Sequence, residues 1–536
     1  SARSMTILPR ETDVIISGGG PVGLTLANLL GQAQIGVIIL EKNDSPFDIP
    51  RAITLDDEGC RTIQAAALDK QFLPSTVRGK GARYYGEDNR PFAEVGPGPV
   101  EFGFPKRTHF FQPNLDKILV DGLNRYRQAN IFFGHKLMGF SETDTGIKVE
   151  VFTHNKKSHD VFCKFLIGAD GARSDVRQKL GIKMIGETYP EDWVIVDTKN
   201  DPDQEPVSKF YCRRDQPYVS IPAPDEGRRY EYRVQQEDGR QKLLDFENIR
   251  ERLSSIRSIR PEDIIRSTIY TFEAKIAERW RCGRTLLAGD AAHLTPPFAG
   301  QGLNNGLRDA HNLAWKLSLV LKEEASEKLL DSYELERREP TRAMIDLAIA
   351  MGDIVMPQTE EDIEFRNKLV QWLDRFPAAR DYIVSMKFKP HPHYKNGAFL
   401  DLDSQKFSGS LVGQMLPQVI LENLDSKVSR LDDFLGNGFA IIIQDERLIE
   451  KAIGVSKNLF NREQLKLIFM GKTKSKMLHC VTHLLPKEDV LLHRIWAHRD
   501  QIILVRPDRY VAASFSDENQ SDILDKLRKV LNLKNS

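Results

Sequence analysis

The chain has 536 residues, and at roughly 150 residues per domain that length excludes a single small binding module and predicts three or four domains. With 28% charged and 40% hydrophobic residues the composition is that of a folded globular protein, and 76 basic residues balance 76 acidic ones, so no global field draws the chain to nucleic acid or to an anionic membrane. The five cysteines, Cys60, Cys163, Cys212, Cys282 and Cys480, are scattered and never spaced as Cys-x-x-Cys, which argues against a disulfide framework or a structural metal site and for a reducing, cytoplasmic compartment.

Ser1 to Ser4 read as an addition before a natural Met5, and no apolar run approaches the roughly 18 residues that span a bilayer. Val14 to Ile16 is a β-branched run that meets Gly18, Leu24 to Ala33 carries Leu26, Leu29, Leu30 and Ala33 at helical spacing, and Val37 to Leu40 is a second buried strand. Strand, glycine turn, helix and strand within about 30 residues form a βαβ unit with parallel strands. From Thr188 to Glu278 the texture changes to alternating stretches such as Tyr218 to Pro222 and Arg229 to Val234, which predict an inserted sheet with one wet face. The α/β character returns at Thr285 to Ala288, followed by helical patterns over 304–321 and 329–351. Lys389-Pro-His-Pro-His-Tyr-Lys-Asn-Gly397 reads as a linker, and strands at 438–443 and 501–505 predict a separate C-terminal α/β domain. The expected organisation is a discontinuous first domain over 5–187 and 279–388, an inserted sheet domain over 188–278, a linker over 389–397 and a C-terminal domain over 398–536.

Gly18-Gly19-Gly20-Pro21-Val22-Gly23 satisfies G-x-G-x-x-G at a strand-to-helix junction, the context that motif requires. The first glycine permits the tight turn, the second lets a pyrophosphate approach the backbone, and the third lets helix pack on strand. The helix N-terminus adds its partial positive charge. Glu41 ends the second strand, where its carboxylate can take both hydrogen bonds of a ribose lacking a 2′-phosphate, with Lys42 beside it. A glycine turn that serves packing alone is the competing reading, and the motif leaves NAD and FAD both open.

Phe165-Leu-Ile-Gly-Ala-Asp170-Gly171-Ala-Arg-Ser174 and Thr285-Leu-Leu-Ala-Gly289-Asp290-Ala-Ala-His293 each put a carboxylate just after a short apolar strand, at the sheet edge where ligands of open α/β folds lie. Pro296-Pro297-Phe-Ala-Gly300-Gln301-Gly302-Leu303-Asn304 then opens a helix with backbone amides unencumbered by side chains. The first two segments resemble the Asp-Gly and Gly-Asp fingerprints of flavoprotein hydroxylases. From Asp13 to Met351 the chain resembles the single-component FAD-dependent aromatic hydroxylases of the para-hydroxybenzoate hydroxylase class. Pro50-Arg51-Ala52-Ile-Thr-Leu-Asp56-Asp57-Glu58, Phe111-Gln112-Pro113-Asn-Leu-Asp116, Asn312-Leu-Ala-Trp315-Lys316-Leu and Leu504-Val-Arg-Pro-Asp508-Arg-Tyr-Val-Ala512 further resemble the 3-(3-hydroxyphenyl)propionate hydroxylases. The resemblance implies an α/β fold: a Rossmann-type FAD/NAD(P)-binding domain, an inserted mixed-sheet substrate domain and a C-terminal thioredoxin-like domain. Lacking Cys-x-x-Cys, that last domain is expected to be a redox-inactive docking or dimer-stabilising module, and a homodimer is compatible with it.

The same resemblance implies that NADPH or NADH reduces FAD, that O2 adds at flavin C4a, and that the hydroperoxide hydroxylates a small phenolic substrate. It carries residue roles with it. Gly18, Gly20, Pro21, Val22, Gly23, Glu41 and Lys42 would hold the adenosine half of FAD, Arg51 and Asp170 would lie near its phosphates, and Asp290 would bind the ribityl chain. Gln112, Pro297, Gly300, Gln301, Gly302, Leu303 and Asn304 would lie against the isoalloxazine, where fixed amide dipoles stabilise its reduced form. Asp56 and Pro297 are the expected catalytic residues, Asp56 as the base that takes the phenolic proton; equally, Asp56, Asp57 and Glu58 read as an acidic helix cap. Tyr218, Tyr232 and Arg233 are the expected substrate contacts, the arginine suited to a carboxylate. His293 reads as a structural hydrogen-bonder, and the charges of Leu330 to Pro340 as structural ion pairs. Thr295 to Ala299 and Leu303 depart from the phenylpropionate enzymes, which leaves the acid side chain of the substrate open. Two other functions remain on the sequence alone: a flavin reductase that uses no oxygen, and an FAD-loaded interaction protein whose flavin nicotinamide never bleaches.

Overall fold

The computed structural model describes residues 7–46, 51–234, 239–297, 300–357, 359–379, 390–402, 407–471, 482–486, 491–516 and 518–535. At its centre is the strand Val14–Ser17, all four residues buried, as a strand flanked in parallel on both sides requires. Val37–Glu41 and then Ala129–Phe133 extend the sheet on one side, Phe165–Gly168 and then Thr285–Leu287 on the other, all in parallel register. Strand order reverses at Val14–Ser17, so the crevice beyond its carboxyl end is the topological switch point where open α/β sheets bind ligands.

A second sheet of eight strands stands beside it, in the order His293–Leu294, Ile264–Ala277, Met184–Thr198, Arg228–Val234, Tyr218–Pro222, Ser208–Tyr211, Ala82–Tyr85 and Pro91–Val95. It is wider than the expected 188–278. Two strands come from residues 82–95 and one from 293–294, because strands this short carry no local signal of the sheet they will join. One face is covered by the helices Arg240–Leu243 and Phe246–Leu253, which bury Val194, Val196, Tyr218, Tyr230, Tyr232 and Val234 against Leu243, Ile249 and Leu253. Beyond the strand Ala82–Tyr85, the other face meets the helix Asp331–Val355, where Tyr84 and Val219 pack with Met344, Leu347 and Met351.

The C-terminal domain is a seven-stranded mixed sheet: Ala440–Ile443 pairs in parallel with Lys466–Met470 and antiparallel with Ile502–Val505. The segment expected as a linker is packed rather than free. Tyr394 is buried and stacks on Tyr510 with ring centroids 4.1 Å apart, and its amide donates to the Gly413 carbonyl; Lys389 lies outside the described residues. Buried ion pairs weld this domain to the first. Arg61 is bidentate to Asp432 at 2.7 and 2.8 Å, and Glu336 accepts from both Lys316 (2.8 Å) and Arg506 (2.7 and 3.0 Å). Among the described residues no helix is long and apolar enough to cross a membrane.

Candidate functional site

The three glycine-and-aspartate segments converge at the switch point. A Cβ on Gly18, whose φ is +111°, would lie 2.2 Å from the Ala169 carbonyl oxygen and 2.8 Å from the Asp170 Cα, so the glycine loop rests directly on the Asp170 turn. The Val22 side chain fills the space above Gly289 and Gly306, where added Cβ atoms would stand 3.2 and 2.5 Å from it. The helix Pro21–Gln32, the turn carrying Asp290 and the helix Gly302–Leu321 therefore touch at their glycines.

Around that junction several groups are left open. Added Cβ atoms at Gly20, Gly300 and Gly302 would meet no protein atom within 4 Å, so these backbones front onto free space. Helix geometry leaves the amides of Val22 and Gly23 at one helix start, and of Gly302, Leu303 and Asn304 at the other, without intrahelical acceptors, and neither helix has a side-chain cap. The half-buried Asp290 carboxylate receives no hydrogen bond from the described residues. Burial raises its pKa, against the opposing charges of His293 and Arg51. An acceptor without a donor, two uncapped helix starts and a glycine floor fit the hydroxyls, phosphates and heterocycle of FAD.

Other expected cofactor residues are tied to the protein. Glu41 is buried and accepts from the amides of Gly19 (3.0 Å) and Asn43 (2.8 Å), which locks the strand end to the glycine loop and still leaves each oxygen a second lone pair. Lys42 is exposed beside it. Asp170 accepts from the Ser174 hydroxyl and the Val176 amide; burial lifts its pKa and these two donors oppose the rise. Gln112 accepts from the amides of Arg51 (3.1 Å) and Ala52 (2.9 Å); burial pushes the pKa of Asp116, on the same helix, up to about 7, with Gln112 opposing the rise. Gln112 thus positions the Arg51 segment. Pro50, which precedes it, and Phe298 and Ala299, between Pro297 and Gly300, lie outside the described residues, as does Cys480. Pro297 accepts from the Gly300 amide at 2.9 Å.

Asp56 caps the helix Asp57–Ala65 through the Gly59 amide at 2.7 Å, and its other oxygen pairs with Arg308. The acidic-cap alternative is therefore realised. Three buried carboxylates, Asp56, Asp57 and Glu58, lie together; Arg308 answers Asp56 and Glu58, binding Glu58 at 2.8 and 3.0 Å and Gln301 at 2.8 Å, while Lys106 stands 3.8 Å from Asp57. Burial opposes the charge on Arg308, but these carboxylates raise its pKa well above the ordinary value. Asn304 accepts from the Asp56 amide (3.1 Å) and donates to the carbonyls of Thr54 (3.2 Å) and Gly300 (2.6 Å). With its side chain so occupied, Asn304 has only its main-chain amide for a cofactor. His293, fully buried, bonds Asp309, which also takes 2.9 Å from Arg337. Arg308 and Asp309 were not foreseen; their signal was a charged pair in mid-helix within an otherwise buried run.

The substrate residues need correction. Tyr232 and Arg233 are consecutive in one strand and must point to opposite faces. Tyr232 is fully buried on the helix-covered face, and Tyr218 lies there too, its hydroxyl donating to the Arg252 carbonyl. Neither tyrosine reaches the crevice. The face turned toward it is defined by Arg229, which donates to the Arg51 carbonyl at 2.8 Å. Register places three cross-strand rows there: Arg229, Asp197 and Arg266; Glu231, Ile195 and Thr268; and Arg233, Trp193 and Tyr270. Of the three residues named from the sequence, Arg233 alone shares this face.

Residues 11–348 match the family model described as FAD binding domain, and residues 413–530 the one described as HcaD C-terminal domain. A 3-(3-hydroxy-phenyl)propionate/3-hydroxycinnamic acid hydroxylase of Shigella sonnei (strain Ss046) is 35% identical, with 98% of this chain and 95% of that protein covered. The chain belongs to this family of FAD-dependent monooxygenases. The hydroxylase of the same description from Escherichia coli (strain SMS-3-5 / SECEC) shows the same identity and coverage. The monooxygenase fold also extends to solved structures. The flavin-dependent monooxygenase PieE, in complex with FAD and substrate, has a TM-score of 0.79 at 20% identity, with 97% of this chain and 99% of that one covered. Aklavinone-11 hydroxylase, with FAD and aklavinone, has 0.77 at 20%, with 98% and 100% covered.

Proposed function

We propose that this monooxygenase hydroxylates a small phenolic compound, a 3-hydroxyphenylpropionate-like acid or a related phenol, with NADPH or NADH and O2 as co-substrates. The observation that carries the reading is the sheet face opposite the flavin cradle. Its rows of Arg229, Glu231, Arg233, Trp193 and Tyr270 combine aromatic surface with cations and an acid, the side chains that a phenol bearing a polar tail would need. Relatives 35% identical over nearly the whole chain bear the name of such a hydroxylase.

FAD, when bound, supplies electron transfer from the nicotinamide and the activation of O2. The protein's own part is to hold and exclude. Asp290 and the amides of residues 302–304 orient the cofactor, and Glu41 and the glycine loop take its adenosine half. Arg233, on the crevice side, is the natural partner of a substrate carboxylate. Asp56, paired to Arg308 and linked through it to Gln301, fixes the segment after Arg51 against the start of the helix Gly302–Leu321. A panel of phenols and phenolic acids, scored for stimulation of NADH and NADPH oxidation with products identified by mass, tests the reading. A phenol-dependent gain of one oxygen atom is expected. Nicotinamide oxidation that no phenol stimulates, or peroxide as the sole product throughout the panel, would overturn it.

A further inference from the structure

We infer that Glu231 is the group that accepts the proton of the substrate's phenolic hydroxyl, an assignment that rests on the proposed hydroxylation and gives its proton a destination. Glu231 occupies the middle row of the crevice-side face, flanked in register by the apolar side chains of Ile195 on one strand and Val219 on the other. It is 7% exposed, yet among the described residues no group donates a hydrogen bond to it.

The groups around it explain why it stays without a donor. Arg229, the cation nearest to it, stands 3.9 Å away and spends its guanidinium on Asp197, at 2.8 and 3.2 Å, and on the Arg51 carbonyl. Asp197 repels the carboxylate from the neighbouring strand. On the next strand the Tyr270 hydroxyl is buried without a partner, within electrostatic reach of Glu231, Arg229, Asp197 and Arg51. A carboxylate that no described protein group donates to and a buried hydroxyl without a partner, on the same face, form a pair that a ligand hydroxyl can complete. A phenol does so: its O–H donates to Glu231, and its oxygen can accept from Tyr270. Transfer breaks the phenol O–H bond and forms a carboxyl O–H bond; the electron pair stays on the phenolate oxygen and raises the nucleophilicity of the ring. Burial, with Arg229 opposing and Asp197 assisting, moves the Glu231 pKa to about 7, near the working range of a base at neutral pH. Asp56 is less suited, because its oxygens already serve Gly59 and Arg308.

The test uses the FAD-loaded enzyme and its Glu231→Gln variant, which keeps the shape of the side chain and leaves Arg229 paired with Asp197. With the flavin oxidised and no nicotinamide present, 3-(3-hydroxyphenyl)propionate is titrated in and ionisation of the bound phenol is followed by its ultraviolet difference spectrum from pH 5 to 10. Wild type is expected to develop the phenolate band well below the free phenol's pKa of ~10. Glu231→Gln should bind the phenol neutral up to that value and hydroxylate it about 10² to 10⁴ times more slowly, while Glu231→Asp restores part of both signals. A variant with the wild-type phenolate band and pH–rate profile would overturn the assignment. A wild-type enzyme that hydroxylates no phenol defeats the proposed function instead, and is recognised before any variant is made.

Discussion

Gly18 and Gly20 stand two residues apart in one loop, and alanine should act on them through different quantities. At Gly18 the backbone lies at φ +111°, a region costing a non-glycine residue roughly 1–3 kcal/mol, and the new Cβ would sit 2.2 Å from the Ala169 carbonyl oxygen, a contact that only movement of the sheet can relieve. A loss of about 3 kcal/mol, set against an unfolding entropy of roughly 0.7 kcal/mol/K for a domain of this size, lowers the melting temperature of the apoprotein by about 4 °C. At Gly20 the backbone is extended, with φ −79°, and an added Cβ meets no protein atom; the cost is the poorer N-cap, about 1 kcal/mol or less. That same methyl occupies the space through which a diphosphate would approach the amides of Val22 and Gly23. Losing two charge-assisted hydrogen bonds of ~1.5–3 kcal/mol each weakens FAD binding by about 10² to 10⁴-fold. Thermal melts of the apoproteins and titration of FAD by quenching of its fluorescence separate the two effects. Gly20→Ala binding FAD within threefold of wild type would refute the placement of the cofactor in this loop.

Tyr218→Phe is expected to cost about 1 kcal/mol of stability, through its lost bond to the Arg252 carbonyl, and to leave the KM for the phenol within twofold; a tenfold rise measured in steady-state kinetics would return that tyrosine to the substrate site. Glu336→Gln should lower urea stability by about 3 kcal/mol at pH 7. Burial would raise the Glu336 carboxyl, but Arg506 and Lys316 hold it at about 2 instead of 4.5, at 1.36 kcal/mol per pH unit. Because the folded-state value is the lower one, this contribution is complete above pH 4.5 and is lost as pH falls toward 2. The gap between wild type and variant should therefore narrow only below pH 4.5, and one that narrowed between pH 8 and 6 would contradict the assignment.

The cofactor half of the site was legible because its signals are local. A glycine at φ +111° after a buried strand, an acid at the end of the next strand and a carboxylate after each of two further strands are set by a few neighbouring residues, and the sheet brings them together. The substrate half was not, for a reason visible at Tyr232 and Arg233. Strand period sorts residues into two faces but does not say which face meets the crevice. That choice was made by the helix Phe246–Leu253, whose Ile249 and Leu253 cover the Tyr232 side, and by Arg229 reaching the Arg51 carbonyl from the other. Residues 82–95 escaped for a related cause, since their pairing with Ser208–Tyr211 spans more than a hundred residues of chain.

The C-terminal domain acts on the site by position. The helix Asp57–Ala65 has Asp56 at its N-cap, held by Arg308 beside Gln301, and one turn further on carries Arg61, fully buried and bidentate to Asp432 with a third bond to the Leu416 carbonyl. Arg506 likewise leaves the C-terminal sheet to bind Glu336, which also holds Lys316 from the helix that starts at Gly302, and it lies over the Trp315 ring at 4.8 Å. Buried ion pairs of this kind add little net stability over apolar packing, but each tolerates only one register between its partners. The first pair sits on one helix that borders the crevice and the second reaches the other through Lys316, so together they fix Asp56 and the amides of residues 302–304 relative to each other. The C-terminal domain is thereby joined to the geometry of the crevice at the switch point.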